Sequence, residues 1–307
     1  MTKLVSLIAG YATIGQGAGP MIVTERAGLF AKHGLQVETR LMHGAHGVVR
    51  GLMAGEIQFG NLAAAALLHV AVSQGTDLVF LTGGINQQFL MGRPGLMNRK
   101  QLSGKKIGLA GDGGLNDILA YFVRDRLTEE GIAELQLVAG QSSGEKRVMS
   151  LVRGETDAEI LSPPESIRAE RQGCSRLVDF SEYGLNFALG GIAASRAYIR
   201  DHEEVTRKFI RAYVEGMHRY RTDRDLAVSV QQEYSGLSDR SIAEETYDLT
   251  QPGMPPVPYP VVAALGKALN VLSRQFKGAA TTDPGTFVDD RFIRELEEEG
   301  FIASLYR

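Results

Sequence analysis

The chain has 307 residues, of which 44% are hydrophobic and 22% charged, with a formal net charge of -3. That is a globular composition, long enough for one large domain or two lobes of ordinary size. It excludes a nucleic-acid surface, because no basic run exceeds Arg99-Lys100 or Lys105-Lys106. It also excludes an intrachain disulfide or a cysteine metal cluster, because Cys174 is the only cysteine. The longest apolar run, Leu62 to Val72, is interrupted by His69 and falls far short of the ~20 residues that span a bilayer.

In chain order, Leu4 to Ala9 reads as a buried strand entered directly from Met1-Thr2-Lys3. No apolar leader precedes it, so the expected compartment is periplasmic if a leader was removed and cytoplasmic if Met1 is the native start. After a loop from Gly10 to Gly19, Pro20 suits the first turn of a helix running to His33 and stopping at Gly34. Leu35, Val37, Thr39 and Leu41 alternate with polar residues, the period of a strand. A short helix from Val48 to Ala54, a strand from Ile57 to Gly60, a helix from Leu62 to Gln74 and a continuously apolar strand from Leu78 to Leu81 follow.

Asn86 to Ser103 breaks this rhythm and reads as a crossing to a second lobe. There the expected order is strand Lys106–Ala110, a turn Gly111-Asp112-Gly113-Gly114, helix Leu115–Glu130 and strand Leu135–Ala139. Helix Glu145–Arg153, strand Ala158–Leu161, helix Pro164–Gln172 and a strand at Leu177-Val178 follow. A return crossing is expected near Phe187 to Ala194, after which the chain is almost purely helical. The two halves share a pattern. Gly34, Gly55 and Gly75 are spaced nearly as Gly131, Gly154 and Gly173, each where a helix stops and an apolar strand starts. Such positions need a left-handed residue. The division expected is residues 1–86 plus 192–307 for lobe one and 87–191 for lobe two, with a ligand cleft between them.

Several segments resemble one family, the periplasmic substrate-binding proteins of nitrate, sulfonate and taurine ABC importers, whose fold the thiamine-pyrimidine-synthase-like proteins share. The matching pieces are Glu25-Arg26-Ala27-Gly28-Leu29-Phe30-Ala31-Lys32-His33-Gly34-Leu35-Gln36-Val37-Glu38 and Gly51-Leu52-Met53-Ala54-Gly55-Glu56-Ile57-Gln58-Phe59-Gly60. Leu102-Ser103-Gly104-Lys105-Lys106-Ile107-Gly108 and Ser195-Arg196-Ala197-Tyr198-Ile199 also match. The resemblance implies an α/β, two-lobe, type 2 periplasmic-binding-protein fold. Each lobe would be a mixed, mostly parallel sheet flanked by helices, with a two-strand hinge and a helical C-terminal tail returning to lobe one. It implies capture of a small organic or oxyanionic ligand, of the sulfonate, nitrate, taurine or aromatic carboxylate class, for delivery to an ABC permease. A monomer without cofactor or metal is the expected form.

In open α/β sheets ligands sit beyond the carboxyl ends of the strands, against helix N-termini. Four such turns are visible in the sequence. They offer Tyr11, Thr13, Gln16 and Gly17; His43 and His46; Asn61 and Ala63; and Asp112, Gly113 and Gly114. Ser142 and Ser162 follow strands of the second lobe, and Tyr183 and Asn186 flank the return crossing. Two histidines without a marked third ligand do not make a metal site. The Gly-rich turn lacks the Lys-Ser/Thr of a nucleotide loop. Two other readings stand beside transport. One is an enzyme on this fold, acting on a small aromatic or heterocyclic substrate with His43 or His46 as acid/base. The other is a cytoplasmic ligand sensor. The enzymatic relatives use a cysteine-rich motif or a cysteine soon after the first strand, and this chain has neither.

Overall fold

The structure is a computed structural model that describes residues 4–84, 87–111, 113–184, 190–274 and 276–307. It is built on two five-stranded sheets. The first holds β1 (Val5–Tyr11), β2 (Leu35–Leu41), β3 (Phe59–Ala63), β4 (Leu78–Phe80) and β10 (Gly190–Ser195), in the order β2-β1-β3-β10-β4. The second holds β5 (Phe89–Gly92), β6 (Lys106–Leu109), β7 (Gln136–Ala139), β8 (Ala158–Leu161) and β9 (Ser175–Asp179), in the order β7-β6-β8-β5-β9. Each sheet is parallel among its own early strands, and each receives one antiparallel strand in the fourth place. β10 runs antiparallel to β3 and β4, and β5 runs antiparallel to β8 and β9.

The repeated glycines have the backbone their positions demand. Gly34, Gly55 and Gly75, and Gly131, Gly154 and Gly173, all have φ between 71° and 86°. The helix expected from Pro20 to His33 is two pieces, α1 (Gly19–Arg26) and α2 (Leu29–Lys32). Gly28 separates them at φ 67°, which lets the chain turn and bury Phe30. The strand expected at Ile57 to Gly60 lies later, at Phe59–Ala63, and takes Leu62 and Ala63 from the helix α4 (Ala64–Gln74). Pairing decides this against helix propensity, since Asn61 pairs with both Tyr11 and Ile192. The stretch from Asn86 to Ser103 holds β5, a central strand with every residue buried. Its apolar run Phe89-Leu90-Met91 is too short to show a period.

The other helices of the first half are α3 (Ala45–Met53), α5 (Leu115–Glu129), α6 (Gly144–Arg153) and α7 (Glu165–Glu170). The tail holds α8 (Arg196–Asp201), α9 (Glu203–Thr222), α10 (Arg224–Tyr234), α11 (Arg240–Thr250), α12 (Val262–Leu272), α13 (Arg291–Glu298) and α14 (Phe301–Leu305). α9 packs along α1 and the first sheet, with Phe209 stacked on Phe59 at 3.9 Å. A Cβ on Gly216 would lie 1.8 Å from Thr24 Oγ1, so only glycine lets α9 and α1 approach this closely. α12 departs from the rest of the tail, packing on α4 and also on α5 beside the second sheet.

Within the second sheet one carboxylate is fully buried. Glu159 of β8 lies beside Gly108 of β6, where a Cβ would be 2.1 Å from Glu159 Oε1. Thr156 Oγ1 donates to that oxygen at 2.9 Å, and Oε2 has no partner among the described residues. Burial pushes the Glu159 pKa up to about 7 from its ordinary 4.5, against the opposing pull of Thr156 and Arg147. A carboxyl raised on folding stabilises the protein fully below about 4.5 and loses that contribution as pH climbs through about 7. The gap corresponds to on the order of 3 kcal/mol. Glu159→Gln is therefore expected to flatten the fall in Tm between pH 5 and pH 8 that calorimetry should record for the unmodified chain. Parallel pH profiles for the two proteins would refute the assignment.

Candidate functional site

The ends of the strands bring the two sheets together. A Cβ placed on Gly15, in the turn after β1, would lie 3.8 Å from the Pro163 carbonyl oxygen and 3.9 Å from Ser162 Oγ, in the turn after β8. Gln16, 2% exposed, donates from Nε2 to the Gln87 carbonyl at 3.0 Å. Its Oε1 has no hydrogen-bond partner among the described residues. On the far flank, the position of a Cβ on Gly113 is 3.9 Å from the imidazole of His69 on α4. These contacts bring the strand-end turns of the first sheet against those of the second.

The turn after β1 is held from behind by α10. Tyr234 Oη donates to the Gly15 carbonyl at 2.8 Å, and Ser235 Oγ donates to the Ile14 carbonyl at 2.6 Å. In a trans peptide the N–H lies opposite its carbonyl, so the amides of Gly15 and Gln16 point away from α10. Gly15 N reaches Thr13 Oγ1 only at 3.4 Å, and Thr13 itself is exposed. Gly17 sits half-buried in the short turn Gln16–Ala18. Tyr11 closes β1 with its ring edge-on to Tyr234 at 6.5 Å. Burial, then the charge of Glu25, raises its pKa.

Asn61 and Ala63 lie at the end of β3, Asn61 8% exposed and Ala63 half-buried as the residue before α4. Behind Asn61 stands Tyr213 of α9. Burial drives its phenol well above the ordinary value, while hydrogen bonding with Thr82 and Asn61 opposes the rise. Thr82 Oγ1 in turn accepts from the Ile192 amide at 3.1 Å. The ends of β3, β4 and β10 are thus tied to one buried tyrosine. His46, near the start of α3, is half-buried with its ring edge-on to His69 at 5.5 Å. His43 is elsewhere, exposed and lining a surface groove along α3 that draws only on residues 40 to 56.

In the second sheet, the glycine-rich turn after β6 is closed by its own helix. Asp117, 5% exposed, accepts from the amides of Ala110 at 2.6 Å, Gly111 at 3.0 Å and Gly113 at 2.8 Å. Those donors are committed to the protein. Gly114 is the residue that opens α5, and Asp112 lies outside the described residues, as does Asn186. Ser142 is exposed, and its neighbour Ser143 caps α6 through the Lys146 amide. Tyr183 is not drawn to the strand ends. Its hydroxyl donates to Glu130 Oε1 at 3.3 Å and its ring packs on Phe122 of α5.

The structure therefore gathers Tyr11, Gln16, Gly17, Asn61, Ala63, Gly113 and Ser162 about the strand ends. It also shows residues that pattern reading missed: Tyr213, Tyr234, Ser235 and Asp117. Only Asp117 carried a local signal, an acidic residue in the first turn of a helix after a glycine run. Among the described residues, no group of three His, Cys, Asp or Glu is placed to hold a metal ion. No described helix is long and apolar enough to cross a membrane.

Solved structures share this architecture. The periplasmic aliphatic sulphonate binding protein SsuA from Escherichia coli superposes with a TM-score of 0.75 at 17% identity, covering 92% of each chain. The periplasmic nitrate-binding protein NrtA from Synechocystis PCC 6803 gives 0.73 at 11%, covering 98% of this chain and 91% of that one. A DszB mutant in complex with biphenyl-2-sulfinic acid gives 0.71 at 14%, covering 96% and 99%. No curated protein sequence matches the chain. The class is thus a two-lobe periplasmic-binding-protein fold. The profile of the family described as NMT1/THI5 like matches residues 17–225, and the chain belongs to that family.

Asp117 supplies a direct test of how the second sheet's turn is built. Asp117→Ala leaves three amides without their acceptor and is expected to cost about 3 kcal/mol in urea denaturation. Asp117→Asn, which keeps one acceptor oxygen, should lose about half as much. A neutral Asp117→Ala variant would show that solvent serves those amides equally well.

Proposed function

We propose that the protein captures a small organic or oxyanionic molecule between two lobes, residues 1–86 plus 192–307 and residues 87–191, without converting it. The observation that carries this reading is the meeting of the two sheets' strand-end turns at Gly15 and Ser162, with the buried, half-satisfied Gln16 amide beside them. A ligand group that donates to Gln16 Oε1, such as the ammonium of taurine, would complete that side chain's bonding, while oxyanion oxygens would take the amides of Gly15 and Gln16. Tyr11, Asn61 and Ser162 add neutral donors and acceptors, suited to a ligand of the sulfonate, nitrate, taurine or aromatic carboxylate class. The periplasmic sulphonate- and nitrate-binding proteins that share the fold point the same way and support a periplasmic location; delivery to an ABC permease, by a monomer, belongs to the same proposal.

The enzymatic reading has less to stand on. Cys174 is buried, and burial pushes its thiol up to about 11, the opposite of a nucleophile's environment. His43 lies away from the strand ends, and His46 is packed against His69.

Thermal-shift screening of alkanesulfonates, nitrate, taurine and aromatic carboxylates is expected to give a ligand that raises Tm and is recovered unchanged by mass spectrometry. Asn61→Ala and Gln16→Ala should each weaken it about tenfold. A ligand whose affinity both substitutions leave intact binds elsewhere.

Closure also has a polar clasp. Arg171, at the end of α7, reaches α11 in the other lobe, with Nη1 on Asp239 Oδ2 at 2.5 Å and Nη2 on Ser241 Oγ at 2.7 Å and Glu245 Oε1 at 2.5 Å. Arg171→Ala is expected to enlarge the radius of gyration of the free protein in X-ray scattering and to weaken the ligand severalfold, with the wild-type difference shrinking in high salt. An unchanged scattering profile would show the clasp to be incidental.

A further inference from the structure

We propose that the groove along α3 is a second binding site, separate from the cleft, for a small zwitterion with an apolar body. Its volume is about 590 Å³, within the ~300–1,000 Å³ range of small-molecule sites. No residue of the second sheet or its helices lines it.

The groove exists because α3 packs over β1 and β3 and leaves its own side of the edge strand β2 open, while α1, α2 and α9 cover the other. Its floor is low because glycine is required there. A Cβ on Gly47 would be 2.0 Å from the Met42 carbonyl oxygen, so α3 lies directly on the chain leaving β2. Leu41, 41% exposed, and Met42 give the floor an apolar surface.

The charges on its rim are arranged unevenly. Arg40 is already committed, since its guanidinium donates twice to Glu38 Oε1, at 3.0 and 2.7 Å. Arg50 and Glu56 both line the groove, yet neither makes an ion pair or side-chain hydrogen bond among the described residues, with each other or with anything else. His43 lines the groove as well, and it too is unpartnered. It is held at φ 33°, a region that a residue with a side chain rarely occupies. The groove thus offers a cation and a ring donor for an acid, and a carboxylate for an ammonium. An apolar floor lies between them. Both charges are exposed and solvated, so a zwitterion is the ligand that gains a contact from each.

Three probes of one body test this: phenylalanine, 3-phenylpropionate and phenethylamine, measured by calorimetric titration or saturation-transfer NMR against the intact chain. Phenylalanine should bind most tightly. Arg50→Gln should weaken phenylalanine and 3-phenylpropionate about fivefold, and Glu56→Gln should do the same to phenylalanine and phenethylamine but not to 3-phenylpropionate. His43→Gly should weaken the two acids while leaving Tm unchanged or higher, because glycine accepts the left-handed backbone. That separates a ligand role for the ring from a structural one. Absence of binding, binding that neither charge substitution alters, or equal affinity for the acid-only probe overturns the proposal. Since the groove shares no lining residue with the cleft, failure here leaves the reading of the cleft standing.

Discussion

The structure depends on an exchange of strands. Neither sheet is complete without a strand delivered by the crossing from the other lobe. β10 arrives between β3 and β4, pairing Ile192 with Asn61 and Ala193 with Phe80. β5 arrives between β8 and β9, pairing Leu90 with Ile160 and with Val178. Both enter antiparallel and both are buried. The crossings must therefore run close together. A Cβ on Gly191 would stand 1.9 Å from the Thr82 carbonyl oxygen, and one on Gly84 would stand 2.9 Å from the Gly191 amide nitrogen. Backbone meets backbone there because glycines fill both sides. Two lobes joined this way cannot separate as independent units, because withdrawing either crossing opens the ladder of a sheet.

The same constraint turns the carboxyl ends of the parallel strands toward one another, where the proposed ligand would sit. It does not make the turns equivalent. The glycine-rich turns after β1 and β6 resemble each other in sequence and do opposite things. After β6, Asp117 folds back and takes three amides for itself. After β1, Tyr234 and Ser235 take two carbonyls instead, and the amides on the other side of those peptides are released. Glycine content alone marks a turn that can approach a ligand. The partner of each carbonyl and amide decides whether donors remain.

This marks how far the sequence could be read. The left-handed glycines, the helix limits of α5 and the two-lobe plan follow from local pattern, because φ > 0 and a 3.6-residue period are properties of a short segment. The break at Gly28 was equally local but hidden, since the apolar positions on either side continue one period. β5 and the true extent of β3 were not local at all. Four apolar residues become a central strand only when partners far along the chain present their edges. The site followed the same division. Tyr11, Gln16 and Asn61 stand at strand ends that periodicity identifies. Tyr213 and Tyr234 serve them from about 150 and 220 residues away, respectively, and no spacing in the sequence announces such a contact. His43 shows the converse, for it stands at a strand end in sequence and turns to an outer groove in space.

The contacts between the lobes differ in kind on the two flanks of the cleft, and the difference has consequences for opening. On one flank, α4 and α12 pack on α5 in a single apolar cluster that runs into the cores of both sheets. Parting it exposes apolar surface at roughly 25 cal/mol for each Å². On the other flank α7 meets α11 through Arg171 and its three acceptors, side chains one-third to one-half exposed, with Ile167 buried beneath them. Those hydrogen bonds are open to water and weaken with salt, unlike the apolar contact on the first flank. Parting α7 from α11 would also expose Ile167, so that flank is mainly polar at its surface and apolar beneath. The polar flank lies on the side of Gly15, Ser162 and Gln16, and the apolar one on the side of His69. The helical tail, which repeats no part of the second lobe, thus meets that lobe in two ways: α12 through apolar packing and α11 through Arg171.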